Sequence, residues 1–238
     1  MIPQKITKTQ IELLYKFTRK HFVEHYDVQT ELVDHLANDI EQIWQEKPSL
    51  SFDEAKDISF KKFGVFGFMG VVEAKVAAMN KKYWLLIRRF MKEFFQWPQA
   101  LSTLCLFLTI NLVLSQEGYQ EISLMMIFGL VIIGMFVQLF RLRSILKKRL
   151  RLNDKKWILE EMVLNTGGMA GFSYMPFQFI VQFIIQFGGD GDLGVMAILL
   201  LSLFLSIYIL LLYTVAFVIP SKMTELLEAQ YPEYKMMA

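Results

Sequence analysis

Four stretches of this chain contain no Asp, Glu, Lys, Arg or His: residues 98–115, 122–140, 166–187 and 193–220. A helix rises 1.5 Å per residue and a bilayer's hydrocarbon core is about 30 Å thick, so each run has roughly the length of one crossing. Helices on the outside of a soluble bundle need a polar stripe, and residues 125–137 and 197–212 offer almost none. The expected class is therefore all-α: a small cytoplasmic helical domain followed by a four-helix transmembrane bundle. A chain of 238 residues that is 54% hydrophobic and only 20% charged fits that class better than a soluble one. The single Cys105 can form no internal disulfide and builds no thiolate metal site alone.

Charge sets the expected orientation. The net charge is only +2, but eight basic residues fall within 141–166 (Arg141, Arg143, Lys147, Lys148, Arg149, Arg151, Lys155 and Lys156) against Asp154, Glu160 and Glu161. Lys81, Lys82, Arg88, Arg89 and Lys92 precede the first run. Cytoplasmic loops are enriched in Lys and Arg, so both regions belong inside, and the short turns at Glu117/Glu121 and Asp190/Asp192 face out. Four crossings bring both termini to the cytoplasmic side of a bacterial inner membrane. No apolar segment precedes residue 98, so the first run is expected to act as the insertion signal.

Residues 1–80 read as a helical domain. Thr7 with Gln10, and Ser51 with Glu54, are capping boxes that open helices. The first helix should bury Ile11, Leu14, Phe17, Thr18 and Phe22, and the second, after Asp27, should bury Val28, Leu32, Leu36, Ile40, Ile43 and Trp44. The third ends at Gly64, and a fourth starts near Met69 with Val72, Val76, Met79, Tyr83, Leu86, Phe90 and Phe94 on one side. Its second half, 81–97, mixes aromatic and basic residues. Trp84, Arg88, Arg89, Lys92 and Trp97 therefore read as a membrane-interface set, with rings at headgroup level and cations on anionic lipid. Pro98 marks the bend into the transmembrane region 98–220; residues 141–165 form its basic inner loop and 221–238 a cytoplasmic tail.

Chemistry-bearing patterns are few. His21-Phe22-Val23-Glu24-His25 matches H-x-x-E-H, the pattern of inverted zinc peptidases, but the domain is too small to present their third ligand. Glu31, His35 and Asp39 recur four residues apart on one helical stripe, with Asp34 beside them. That line could hold a divalent cation, meet a basic partner, or pair internally at the edge of a core. No nucleophilic triad, Walker loop or dinucleotide fingerprint occurs, and neither catalysis nor a cofactor is expected. Within the membrane, Gln178, Gln182 and Gln186 form a polar stripe on the third run, with Asn111, Gln138, Ser202 and Ser206 as prospective partners. Amides are costly in lipid, so the stripe is expected to face the bundle.

Tyr26-Asp27-Val28-Gln29-Thr30-Glu31-Leu32-Val33-Asp34-His35-Leu36, Phe52-Asp53-Glu54-Ala55, Phe63-Gly64-Val65-Phe66-Gly67-Phe68 and Lys81-Lys82-Tyr83-Trp84 resemble an uncharacterised family of Bacteroidetes membrane proteins. The order of these motifs is also similar to the helical HAAS and permease-prefix domains that precede transmembrane regions in bacteria. The resemblance covers residues 10–84. It implies an accessory signalling role, a cytoplasmic protein partner such as a PadR-type regulator, and no catalytic residue. The short outer turns leave no room for the large extracytoplasmic domain of such permeases. The leading expectation is a non-enzymatic multi-pass inner-membrane protein with lipid and protein partners and no direct nucleic-acid contact. The alternative is a small transporter, or transporter accessory subunit, using the glutamine stripe.

Overall fold

The structure is a computed structural model and describes residues 4–153, 155–165, 178–180, 182, 183, 186, 193–231 and 234. Among the described residues every regular element is helical, apart from one isolated bridge between His25 and Lys156. The helices are α1 (Lys8–Lys20), α2 (Tyr26–Glu46), α3 (Phe52–Lys61), α4 (Met69–Glu93), α5 (Gln99–Leu114), α6 (Gln120–Asn153), α7 (Ile158–Asn165), α8 (Val195–Tyr213) and α9 (Ile219–Gln230), with a π-helical turn at Thr214–Val218. The chain divides into two compact units, residues 1–81 with 153–158, and residues 82–152 with 159–238.

In the N-terminal unit the capping boxes form as expected. Thr7 and Gln10 cap each other at α1, and Ser51 and Glu54 do so at α3. Hydrogen bonds from the Ser51 hydroxyl and amide hold the Glu54 carboxyl below the usual carboxylate range. All six apolar positions expected of α2 are buried. The Trp44 indole donates to the Leu50 carbonyl at 3.0 Å, so the largest ring of that face also closes the α2–α3 connection.

Phe22 departs from expectation: it is 90% exposed. Helix α1 stops at Lys20, and Phe22 adopts φ +63°, which turns its side chain off the α1 face. The place expected of Phe22 is taken by an aromatic cluster in which Phe17, His21, Phe60, Phe63 and Phe68 meet largely edge-on or tilted. Gly67 is required there twice. Its φ is +54°, and a Cβ on it would lie 3.0 Å from the Phe60 ring.

The C-terminal unit is built on an apolar core to which α5 gives Ile110 and Leu114, α6 gives Leu124 and Phe128, and α8 gives Leu201, Leu205 and Tyr208. Two helical stretches, Gln120–Arg149 and Val195–Gln230, are long and apolar enough to cross a membrane. Helix α5 has 16 residues, about 24 Å at 1.5 Å per residue, which is short of a full hydrocarbon core. The third expected crossing, 166–187, lies mostly outside the described residues, as does the outer turn at Asp190 and Asp192.

Candidate functional site

The C-terminal unit carries a broad apolar surface. Leu101, Leu104, Leu108 and Leu112 on α5, Met125, Leu130, Ile133, Phe136 and Phe140 on α6, and Val195, Met196, Leu200 and Leu203 on α8 are all exposed in the isolated chain. Scattered exposed leucines are ordinary, but rows of them along three helices of one unit exceed what a monomeric soluble surface carries. Such rows suit contact with hydrocarbon.

Several of the described polar groups inside this unit bond to its own helices. Asn111 Nδ2 donates to Ser202 Oγ at 3.4 Å, joining α5 to α8. Ser202 and Ser206 donate back to the carbonyls of Ile198 and Ser202, one turn earlier. Pro220 brings no N–H to the carbonyl of Ala216, four residues before it. Gln138 on α6 donates its Nε2 to that carbonyl at 3.1 Å, beside the π-helical turn. Both Asn111 and Gln138 thus bond to α8 and its continuation rather than to the glutamine stripe. Gln178, Gln182 and Gln186 are exposed, while Ile180 between them is buried in the core and Phe179 packs on Phe204 at 4.8 Å. The expectation that the stripe faces the bundle is therefore corrected. Of the residues described on this segment, Ile180 is buried and Phe183 partly so, whereas the three amides, like Phe179, are exposed.

The two ends of the unit differ in character. Near the first outer turn, Gln120 Oε1 accepts the Leu193 N–H at 2.9 Å, which ties the start of α6 to the residues leading into α8. At the other end Arg149 forms a 2.9 Å ion pair with the buried Glu160 and lies 4.4 Å over the ring of Tyr234. Burial, reinforced by the Glu160 charge, pushes the Tyr234 hydroxyl above the usual phenol range. Lys82 of α4 donates to Gln230 of α9 at 2.6 Å. The basic loop and the C-terminal segment thus share one end of this unit, while the first predicted outer turn adjoins the other.

The second half of α4 is amphipathic. Tyr83, Ile87 and Phe90 are buried, whereas Trp84, Arg88, Arg89, Lys92 and, just beyond the helix, Trp97 are exposed. All five residues of the expected interface set therefore lie at the surface.

In the N-terminal unit the Glu31/His35/Asp39 line is engaged within the domain. Glu31 pairs with Lys75 of α4 at 2.5 Å, the His35 ring lies 5.6 Å from that of Phe63, and Asp39 pairs with Lys62 at 2.6 Å. Burial pushes the Asp39 carboxyl up, but hydrogen bonds from Lys62 and Ser59 outweigh it and hold the group below the usual range. Of the expected partner-binding set, Glu31, Asp34 and His35 are exposed, and Asp39 is partly covered. The H-x-x-E-H pattern falls in the break between α1 and α2, so its histidines do not share a helical turn. His21 Nδ1 lies 2.9 Å from the Phe17 carbonyl, and Glu24 pairs with Lys156. No cluster of three metal-ligating side chains occurs among the described residues.

No family model, curated protein or solved structure matches the chain.

One engaged region escaped the sequence reading. Residues Lys155–Ile158, expected only as part of a basic loop, belong to the N-terminal unit and pack on the corner between α1 and α2. The signal available was Trp157 amid charged residues: a large apolar ring in a basic loop needs a place to be buried.

Proposed function

We propose that this protein is a non-enzymatic multi-pass inner-membrane protein of the signalling or accessory kind, whose cytoplasmic helical domain binds a protein partner while its C-terminal bundle anchors the chain in lipid. The observation that carries the reading is the polarity of the C-terminal unit. Exposed apolar rows run along α5, α6 and α8, with the basic loop and C-terminal segment at one end and the first predicted outer turn at the other. A basic end beside an apolar band is the arrangement expected of a cytoplasmic face.

The exposed face of α4 adds a second lipid contact. Trp84, Trp97, Arg88, Arg89 and Lys92 sit where rings and cations would meet headgroups. The transport alternative draws less support. Gln178, Gln182 and Gln186 point away from the core of a single chain, and the intramembrane amides Asn111 and Gln138 are spent on holding helices together. The resemblance of residues 10–84 to HAAS-type domains suggests a regulator of the PadR kind as the partner. Affinity purification of the full chain from native membranes tests this. A cytoplasmic protein should co-purify with the complete chain and be lost when residues 1–80 are removed. Recovery that is unaffected by the deletion would contradict the assignment.

A further inference from the structure

Helix α6 ends at Asn153 and α7 begins at Ile158, and residues 155–157 between them are not helical. They lie extended against the α1–α2 corner, and each of four consecutive residues has its own contact there. Lys155 places its Nζ 3.9 Å over the centre of the Tyr26 ring. Lys156 accepts the Tyr26 N–H at 2.7 Å through its carbonyl, in a parallel bridge with His25, and its Nζ pairs with Glu24 at 2.7 Å. Trp157 meets Tyr26 edge-on at 5.5 Å and is only 3% exposed. The Ile158 N–H is hydrogen-bonded to the Asp27 carboxylate.

The receiving surface comes from a short span of the domain. Tyr26 is stacked on Tyr15 at 5.7 Å, so the ring that takes the cation on one side is braced on another. Backbone donors and acceptors, a carboxylate, a cation-binding ring and a place for an indole are the components by which a domain recognises an extended peptide. A loop that merely connected two helices would need none of them.

We propose that the Tyr15/Glu24–Asp27 corner is a docking cleft for an extended basic and aromatic peptide segment, held shut in cis by Lys155–Ile158, and that a partner protein engages the domain by presenting a segment of the same chemistry and displacing this loop. The proposal rests on the reading that the domain binds a protein partner, and it names where that partner binds. Because the cis segment is tethered, it competes at high effective concentration, and the cleft stays closed until the loop is drawn away or outcompeted. The loop joins α6 to α7, so opening the cleft frees the end of the long apolar helix α6, which gives the partner a means of acting on that helix.

The test uses the full chain in detergent and a labelled peptide with the sequence of residues 152–160. Lys156→Glu with Trp157→Ser releases the cis segment, and Lys155→Ala with Lys156→Ala releases it while keeping Trp157. Both released chains should bind the peptide saturably and at least about tenfold more tightly than the wild type. Adding Glu24→Lys to the Lys155→Ala/Lys156→Ala chain should abolish that gain, and a peptide carrying glutamate at the position of Lys156 should restore it. Released chains that bind no better than wild type, or that bind equally well with Glu24→Lys, would overturn the proposal. So would loss of folding in both, which would make the segment part of the core. The peptide is read without any partner present, so its failure leaves the co-purification result standing, and failure of co-purification leaves the cleft standing.

Discussion

At the scale of single residues, Asp27 carries the clearest pH signature. Burial pushes its carboxyl above the usual range, and His25 and the amides of Val28 and Ile158 only partly offset this. A raised folded-state value means that the protonated form is favoured on folding. The stability it contributes is complete below the unfolded value and is lost as pH rises through the folded one. Asp27→Asn keeps an acceptor oxygen for the amides and removes the buried charge, so the domain should melt at a higher temperature at pH 7 and depend less on pH. Melting curves of the full chain followed from pH 4 to 8 check this. Glu24 works in the opposite sense: the Lys156 hydrogen bond lowers its value, so its contribution is present above the unfolded value and fades on acidification. Leu36, fully buried on α2, sets the scale for packing. Leu36→Ala should cost about 2–5 kcal/mol, and Leu36→Asp, which buries a carboxylate with no partner, should abolish cooperative melting. The apolar face of α2 was readable from spacing alone, because every position on it answers to one helical period. Phe22 was not, since its exposure depends on where α1 stops and on a positive φ that no periodicity encodes.

Among the elements, α4 and α9 carry the two features most open to test. The exposed aromatic and basic residues of α4 follow from the sequence pattern, and a peptide covering residues 81–97 should bind anionic vesicles and release them as salt is raised. Arg88, Arg89 and Lys92 replaced together by Glu should remove that binding, as vesicle co-sedimentation would show. Binding that is indifferent to the three charges would leave only apolar packing. In α9 Pro220 is plain in the sequence, but what answers it is not, because Gln138 lies on another helix, 78 residues before the Ala216 carbonyl it serves. Gln138→Leu should cost about 1–2 kcal/mol of thermal stability in detergent, the scale of a buried carbonyl left without its donor. Pro220→Ala restores an N–H to the Ala216 carbonyl, so the double variant should lose less than the two single effects combined. Strict additivity would show that the amide and the proline act independently. The outward turn of Gln178, Gln182 and Gln186 was equally hidden: a spacing of four places three residues on one face without saying which way that face looks.

For the molecule as a whole, hydropathy and charge reveal far more than any motif does. Uncharged runs separated by a basic loop and acidic turns imply layers, and among the described residues two helical stretches are long and apolar enough to cross a membrane. What the sequence withheld is non-local: the loop segment that completes the N-terminal unit, and the internal pairing of Glu31 and Asp39, which leaves less of that line open to a partner. The central claim is a cytoplasmic helical domain on a multi-pass anchor, and cysteine accessibility tests it most directly. With Cys105 replaced by Ser, single cysteines at Gly118 and at Ser144 are probed with an impermeant maleimide in intact spheroplasts and again after lysis. The account predicts labelling at position 118 in intact spheroplasts and at position 144 only after lysis; labelling of both only after lysis, or the reverse pattern, would contradict it.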